Sequence, residues 1–170
     1  VLSEANVLAA YKHSLEYSFL TVLGSLLLTS MAAFEFALFE FPGKKILFGI
    51  VLLALMIPTA VTIVPTYLLV AKLGWVNEMQ GLVVPGLASA FGLFMLTQFF
   101  KDIPREIMDA AEIDGDTHFG VYWHVVMPLS RNALATMAIL TFMTTWGNYV
   151  WPMVIAKNND IITVSQMINW

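Results

Sequence analysis

The chain has no cysteine and only three histidines, His13, His118 and His124. Disulfides, thiolate metal sites and a Cys nucleophile are therefore excluded. None of the histidines stands at a ligand spacing with further donors, so no metal site is expected. Ser25, Ser30 and Ser89 lie in apolar surroundings, but no histidine falls deep in an apolar segment to activate a hydroxyl there. No glycine-rich phosphate loop with a following Lys-Ser or Lys-Thr occurs either. The reading is a chain without a catalytic site and without a cofactor of its own. Two groups of residues remain. The segment 101–131, KDIPREIMDAAEIDGDTHFGVYWHVVMPLSR, holds half of the acidic residues: Asp102, Glu106, Asp109, Glu112, Asp114 and Asp116. Mixed with apolar side chains, they suit binding to a basic protein surface. Farther on stand Trp146, Asn148, Tyr149 and Trp151. Aromatic faces and an amide suit a sugar, with its apolar ring faces and hydroxyls. The same aromatics suit a belt at a membrane interface, and Asn148 stands out as a polar side chain in an apolar stretch.

These residues must be carried by apolar elements. The 170 residues are 59% hydrophobic and 12% charged, with a mean hydropathy of +0.78. Soluble domains average about 25% charged residues, and a soluble fold of this size cannot hide so much apolar surface. The net charge of −4 argues against nucleic acid, which demands clustered Lys and Arg. No charge falls between Glu16 and Glu35, Lys45 and Lys72, Glu78 and Lys101, or Arg131 and Lys157. A spanning helix needs about 20 apolar residues, so four spans are expected, near 15–39, 46–71, 80–100 and 132–156. The fold class is an all-α, polytopic membrane helical bundle, since a span must satisfy its own backbone. Ser25, Thr29 and Ala33 lie four apart on one face, as do Gly86 and Ala90, spacings that let helices approach closely in lipid. Pro58 and Pro65 fall inside the second span and serve either as flexing points or as tolerated prolines; Pro85, early in the third, reads as tolerated. The chain opens on Val1 without Met or a signal-like segment, which suggests a piece of a longer protein.

Lys44, Lys45, Lys101, Arg105 and Arg131 fall on one side of such a bundle, and Lys12, Lys72 and Lys157 on the other. The positive-inside rule places the first set, and with it the loop 101–130, in the cytoplasm. Within the loop, Asp102 is expected to cap a helix with Pro104 in its first turn, and Ile103, Ile107, Ala110 and Ala111 to form one apolar face. Gly115 suits a left-handed helix stop. Asp116 or Thr117 would cap a second helix holding Phe119, Tyr122, Trp123 and Val126, which Pro128 would break. His118 and His124 are expected on the loop surface, and Glu35 at the cytoplasmic interface. A basic amphipathic helix would rest on lipid; this one is acidic, which favours a protein partner.

Asp109-Ala110-Ala111, three residues, Gly115, nine residues, Val125, one residue, Met127-Pro128 resembles the EAA loop of ABC importer permeases. Asp109 stands where that pattern has Glu, keeping the charge but shortening the reach; Val125 and Met127 replace Ile and Leu. "FEFPGKK", "MIPTAVTIVPTYLLVAKLGWVN", "LVVPGLASAFGLFMLTQFFKDIPREI" and "TFMTTWGNYVWPM" extend the resemblance over nearly the whole chain, to the carbohydrate-uptake class of the maltose type. The resemblance implies a six-span core of which this chain holds four, in a bacterial or archaeal cell membrane. It implies two permease subunits, here expected to differ, an extracytoplasmic solute-binding protein, and cytoplasmic ATPase subunits that hold ATP and Mg and dock on Asp109, Ala110, Ala111, Glu112, Asp114, Gly115, Phe119 and Pro128. The solute pathway would involve Asn148, Trp146 and Tyr149. Permeases for glycerol phosphates look alike and are the alternative within the class. A membrane scaffold without transport is the alternative outside it. An ion-coupled transporter is disfavoured because the spans are nearly empty of ionisable groups.

Overall fold

The structure, a computed structural model, describes residues 4–158 and 161–168. All regular elements among them are helical. Helix α1 (Glu4–Leu38) runs 35 residues, containing no proline and a single glycine, Gly24. That glycine is a packing requirement: a Cβ there would stand 2.6 Å from Leu87 Cδ2. The chain leaves the helix ahead of Pro42, whose ring disfavours a helical Phe41, and Gly43 with φ +83° leads into α2 (Lys44–Leu55). Then follow α3 (Thr59–Lys72), α4 (Met79–Gly86), α5 (Ala90–Lys101), α6 (Arg105–Ile113), α7 (His118–Leu129), α8 (Arg131–Trp146), α9 (Val150–Ile155) and α10 (Val164–Ile168).

Three of the four expected continuous spans are interrupted, each near a proline. Pro58, at φ −62° and ψ 134°, is the residue from which α3 starts; within one continuous helix its ring would strike the carbonyl of Ala54 and lack a donor. Pro85, read from sequence as tolerated, lies in a tightened turn, Val84–Gly86, that closes α4. The chain resumes at Ser89, whose Oγ accepts the Gly92 N–H at 2.9 Å and caps α5. Gly86 and Ala90 thus fall on either side of a break. Pro152 forbids a helix running through Asn148, so α8 and α9 are separate. Pro65, by contrast, sits inside α3. Thr62 and Thr66 hydroxyls donate to the carbonyls of Thr59 and Thr62 (2.9 and 2.7 Å) beside it, while the carbonyl that Pro65 leaves without its helical donor is that of Val61. Among the described residues one helix, Val7–Leu38, is long and apolar enough to cross a membrane alone; three helix pairs reach that length together, each across a break of at most four residues.

The chain divides into two compact units. One comprises α1 up to Ser25, residues 57–87 and the chain from Ile139 onward. Its core is Tyr17, Val70, Leu82, Val83 and Ile155, flanked by Trp75 and Trp151. The other comprises residues 26–56 and 88–138. Its core gathers Ala33, Phe34, Leu96, Phe100, Met108, Val121, Tyr122, Val126 and Met137. Ser25, Thr29 and Ala33 are all buried, as the small-residue spacing predicts. In contrast, α2 has no buried residue, and Ile46, Ile50 and Leu53 are more than half exposed, a surface suited to lipid.

Candidate functional site

The acidic loop folds as α6 and α7 around a glycine turn. Helix α6 begins after Pro104, at φ −58° and ψ 133°, with no side-chain cap; Asp102 closes the preceding helix instead. With Ile103 outside the helix, its inward side is set by Met108 and Ala111 rather than by the expected face. Met108 is buried and Ala111 packs against the same core, with Ile103 ahead of the helix. Ile107 and Ala110 face outward. Gly115 has φ +92°; Asp116 N–H donates to Ala111 O and Gly115 N–H to Glu112 O, both at 3.0 Å. This is a Schellman turn, which satisfies the last carbonyls of α6 and needs a left-handed residue.

Thr117 caps α7, its Oγ1 accepting the Gly120 N–H at 3.1 Å. A Cβ on Gly120 would collide with the Asp116 carboxylate, which lies over this turn and reaches His124 Nδ1 at 3.3 Å. Pro128 does not break α7, which runs on to Leu129. Its middle, Val121–Val126, is wound as a π-helix, and the wider turn makes room for the ring and for the missing donor one turn later. The break comes at Ser130, where the chain bends by 78° into α8.

The inner side of α7 is tied to α1. Tyr122 and Ser30 share a buried 2.8 Å hydrogen bond. His118 Nε2 lies 2.7 Å from Glu35 Oε1, its ring against Phe34 and Phe39 at 5.1 and 4.0 Å. The outer side carries Asp109, Ala110, Glu112, Asp114, Gly115 and Pro128, all exposed. Among them stand apolar side chains facing outward: Ile113 is 86% exposed and Phe119 60%, and Phe119 stacks on half-exposed Trp123 with ring planes 13° apart. Ala111 alone of the expected docking residues is turned toward the core.

The second site is a cleft of about 490 Å³ lined by Thr59, Thr62, Thr66, Gly86, Asn148 and Trp151, with four apolar neighbours. No charged side chain lines it among the described residues. Asn148 Oδ1 accepts the Trp151 N–H at 3.2 Å, and Trp151 Nε1 donates to Gly81 O at 3.2 Å. Asn148 also meets the Tyr17 hydroxyl. Of the three residues expected along a pathway, only Asn148 reaches this cleft. Trp146 packs on Phe142 and Tyr11, and Tyr149 lies just ahead of α9, outside the lining. The threonines were missed: the segment 46–71 reads as lacking a polar stripe, yet Thr59, Thr62 and Thr66 recur at helical spacing and share one face. The Glu35–His118 and Ser30–Tyr122 pairs were also missed, since residues 83 and 92 positions apart carry no mark in a single sequence.

Broken apolar helix pairs, an uncharged hydroxyl-lined cleft and one charged helical loop are the features of an all-helical membrane fold. The chain belongs to the family of binding-protein-dependent transport system inner membrane components, whose pattern it matches over residues 25–170. It is 35% identical over 154 residues to an arabinooligosaccharides transport system permease protein, AraQ, of Halalkalibacterium halodurans, covering 91% of this chain and 55% of the relative. It is 34% identical over 151 residues to the sn-glycerol-3-phosphate transport system permease protein UgpE of Yersinia enterocolitica, covering 89% and 54%. The chain thus spans about half the length of the curated relatives it matches. Its fold is similar to a chain of a bacterial ABC transporter involved in import of the acidic polysaccharide alginate, with TM-score 0.88, 23% identity, and coverage of 96% of this chain and 57% of that one. The resemblance carried by the 109–128 spacing therefore holds at the level of the family.

Proposed function

We propose that the chain is the core of a permease subunit in an ATP-driven importer for a sugar or oligosaccharide. The observation that carries this reading is the outward surface of α6 and α7, where carboxylates surround Ile113, Phe119 and Trp123 that nothing within the unit covers. An apolar centre with a charged rim is the composition of a docking surface. In this reading Asp109, Glu112 and Asp114 meet basic groups of a cytoplasmic ATPase subunit that holds ATP and Mg, and Gly115 sets the angle between the two helices. The Ser30–Tyr122 and Glu35–His118 contacts pass movement of the loop to α1. A second, different permease subunit and a solute-binding protein complete the assembly.

The cleft supports a neutral solute. Its threonine hydroxyls, the Asn148 amide and the Trp151 face suit sugar hydroxyls and ring faces, and no Lys or Arg lines it to hold a phosphate. Carbohydrate is therefore preferred over glycerol phosphate, the substrate class in the name of the UgpE relative. The experiment is reconstitution of the full-length permease with its ATPase and binding protein in vesicles. ATP-dependent uptake of a sugar, lost on removal of either partner, is expected. ATP-independent uptake, or an assembly that never engages an ATPase, would overturn the reading.

A further inference from the structure

Four of the chain's eight basic residues converge on one cleft. Lys44 and Lys45 open α2, Lys101 closes α5, and Arg105 opens α6; with Glu40 and Phe48 they line a hollow of about 510 Å³. Lys44 is committed, donating to Phe39 O and to Glu40 Oε1, both at 2.8 Å. Among the described residues no carboxylate lies within ion-pair distance of Lys45, Lys101 or Arg105. Lys101 Nζ is 5.4 Å from the centre of the Phe48 ring. The Glu40 carboxyl is held below its ordinary range, first by the Lys44 hydrogen bond and then by the charges of Lys44, Arg105 and Lys45, so the fields of these cations overlap in the cleft. Beside it runs α2, with no buried residue and with Ile46, Ile50 and Leu53 outward.

The geometry points to a binding site for an anionic phospholipid, its phosphate headgroup in the cleft of Lys45, Lys101 and Arg105 and its acyl chains along α2. The argument is complementarity in two parts at once. A net positive hollow at the end of apolar helices favours a phosphate, and the adjoining exposed aliphatic face favours hydrocarbon. A soluble anion satisfies only the first. A zwitterionic phospholipid offers hydrocarbon and a phosphate, but its ammonium cancels the net negative charge that the hollow selects. The inference goes beyond the transport reading and requires only that α1, α2 and α5 are embedded in lipid.

The test uses the full-length permease assembled with its partners in nanodiscs of phosphatidylglycerol and phosphatidylethanolamine, then partial delipidation and native mass spectrometry. Phosphatidylglycerol should be retained over phosphatidylethanolamine. A cation beside an anionic headgroup is worth about a five-fold preference. The K45Q/K101Q/R105Q variant should therefore lose retention by on the order of a hundred-fold, with helix content by circular dichroism unchanged. K45Q alone, at an exposed side chain, should lose about five-fold and serves if the triple variant fails to assemble. Equal retention by parent and K45Q, or no lipid preference in the assembled transporter because a subunit covers the cleft, would overturn the proposal. Displacement of phosphatidylglycerol by millimolar inorganic phosphate would reassign the cleft to free oxyanions and overturn it as well.

Discussion

Helices α3 and α6 end in the same backbone device and put it to opposite uses. At Gly74, φ +73°, Trp75 N–H donates to Val70 O at 3.0 Å and Gly74 N–H to Ala71 O at 3.1 Å. At Gly115 the same two bonds run to Ala111 and Glu112. The residue after each glycine decides the outcome. Trp75 folds into the core with Val70, the hydrophobic contact that accompanies such turns. Asn77 then locks the turn: its N–H donates to Ile155 O at 3.0 Å, and its Oδ1 accepts Lys157 and Asn158 N–H at 2.6 and 3.1 Å. Asp116 instead turns toward His124 and the start of α7, leaving Ile113 and Phe119 outward. The same left-handed glycine thus closes one region on itself and leaves the other presenting a surface.

The strongest way to break this contrast is Gly115→Pro. Proline cannot adopt φ +92° and has no N–H for Glu112 O, a cost of about 3 kcal/mol or roughly a hundred-fold fall in the population of the docking-competent turn. Membrane insertion should persist while ATP-driven uptake in vesicles collapses. Normal uptake would show that the turn is not the coupling element. At the other turn, Asn77→Ala should act on stability. Asn77 sits at φ 62°, where alanine costs about 1–2 kcal/mol, and the Lys157 and Asn158 N–H groups lose their acceptor at about 1 kcal/mol. The purified assembly should unfold at a lower temperature, by about 2–3 kcal/mol in all, with uptake per folded molecule unchanged. Asn77→Gly, which relieves only the backbone strain, should recover about half of the loss.

Much of this was legible in the residues themselves. Charge-free windows marked the apolar helices, and Asp109-Ala110-Ala111 with Gly115 marked both the left-handed turn and the family. The breaks were less legible. Pro58, Pro65, Pro85 and Pro152 look alike in sequence, yet Pro65 is absorbed within α3 while Pro58 begins a helix. In a helix each ring strikes the carbonyl four residues earlier and removes its donor, and local sequence does not state which helix absorbs that loss. The cleft was legible in part. Asn148 was visible as a polar residue in an apolar stretch, but Thr59, Thr62 and Thr66 do not stand out, because threonine carries little weight in a hydropathy reading. The ties of α7 to α1 depend on pairing across 83 and 92 residues, which local pattern does not encode.

A subtler effect is expected at Phe119, 60% exposed. Surface truncations change stability by no more than about 0.5 kcal/mol, whereas loss of an aromatic anchor in an interface costs about 2 kcal/mol. Phe119→Ala should therefore leave thermal unfolding in place and weaken ATPase-subunit binding by roughly thirty-fold, measured by titration of the subunit onto the permease in nanodiscs. Unchanged affinity would remove Phe119 from the docking surface.

The finest test is a matched pair, Gly74→Ala and Gly115→Ala. A Cβ at either position meets nothing within 4 Å, so each substitution carries only the left-handed penalty, about 1 kcal/mol. The perturbation is thus nearly the same in chemistry and size, and only its surroundings differ. At Gly74 the strain falls on a turn closed by Trp75 and Asn77, and it should appear as a small loss of thermal stability with coupling retained. At Gly115 it falls on a turn whose far side is open, and it should appear as a rise in ATP hydrolysed per solute carried, by several-fold, with little change in unfolding. Equal phenotypes at both sites would mean that the two turns are mechanically equivalent, and that the acidic surface beside Gly115 has no part in coupling.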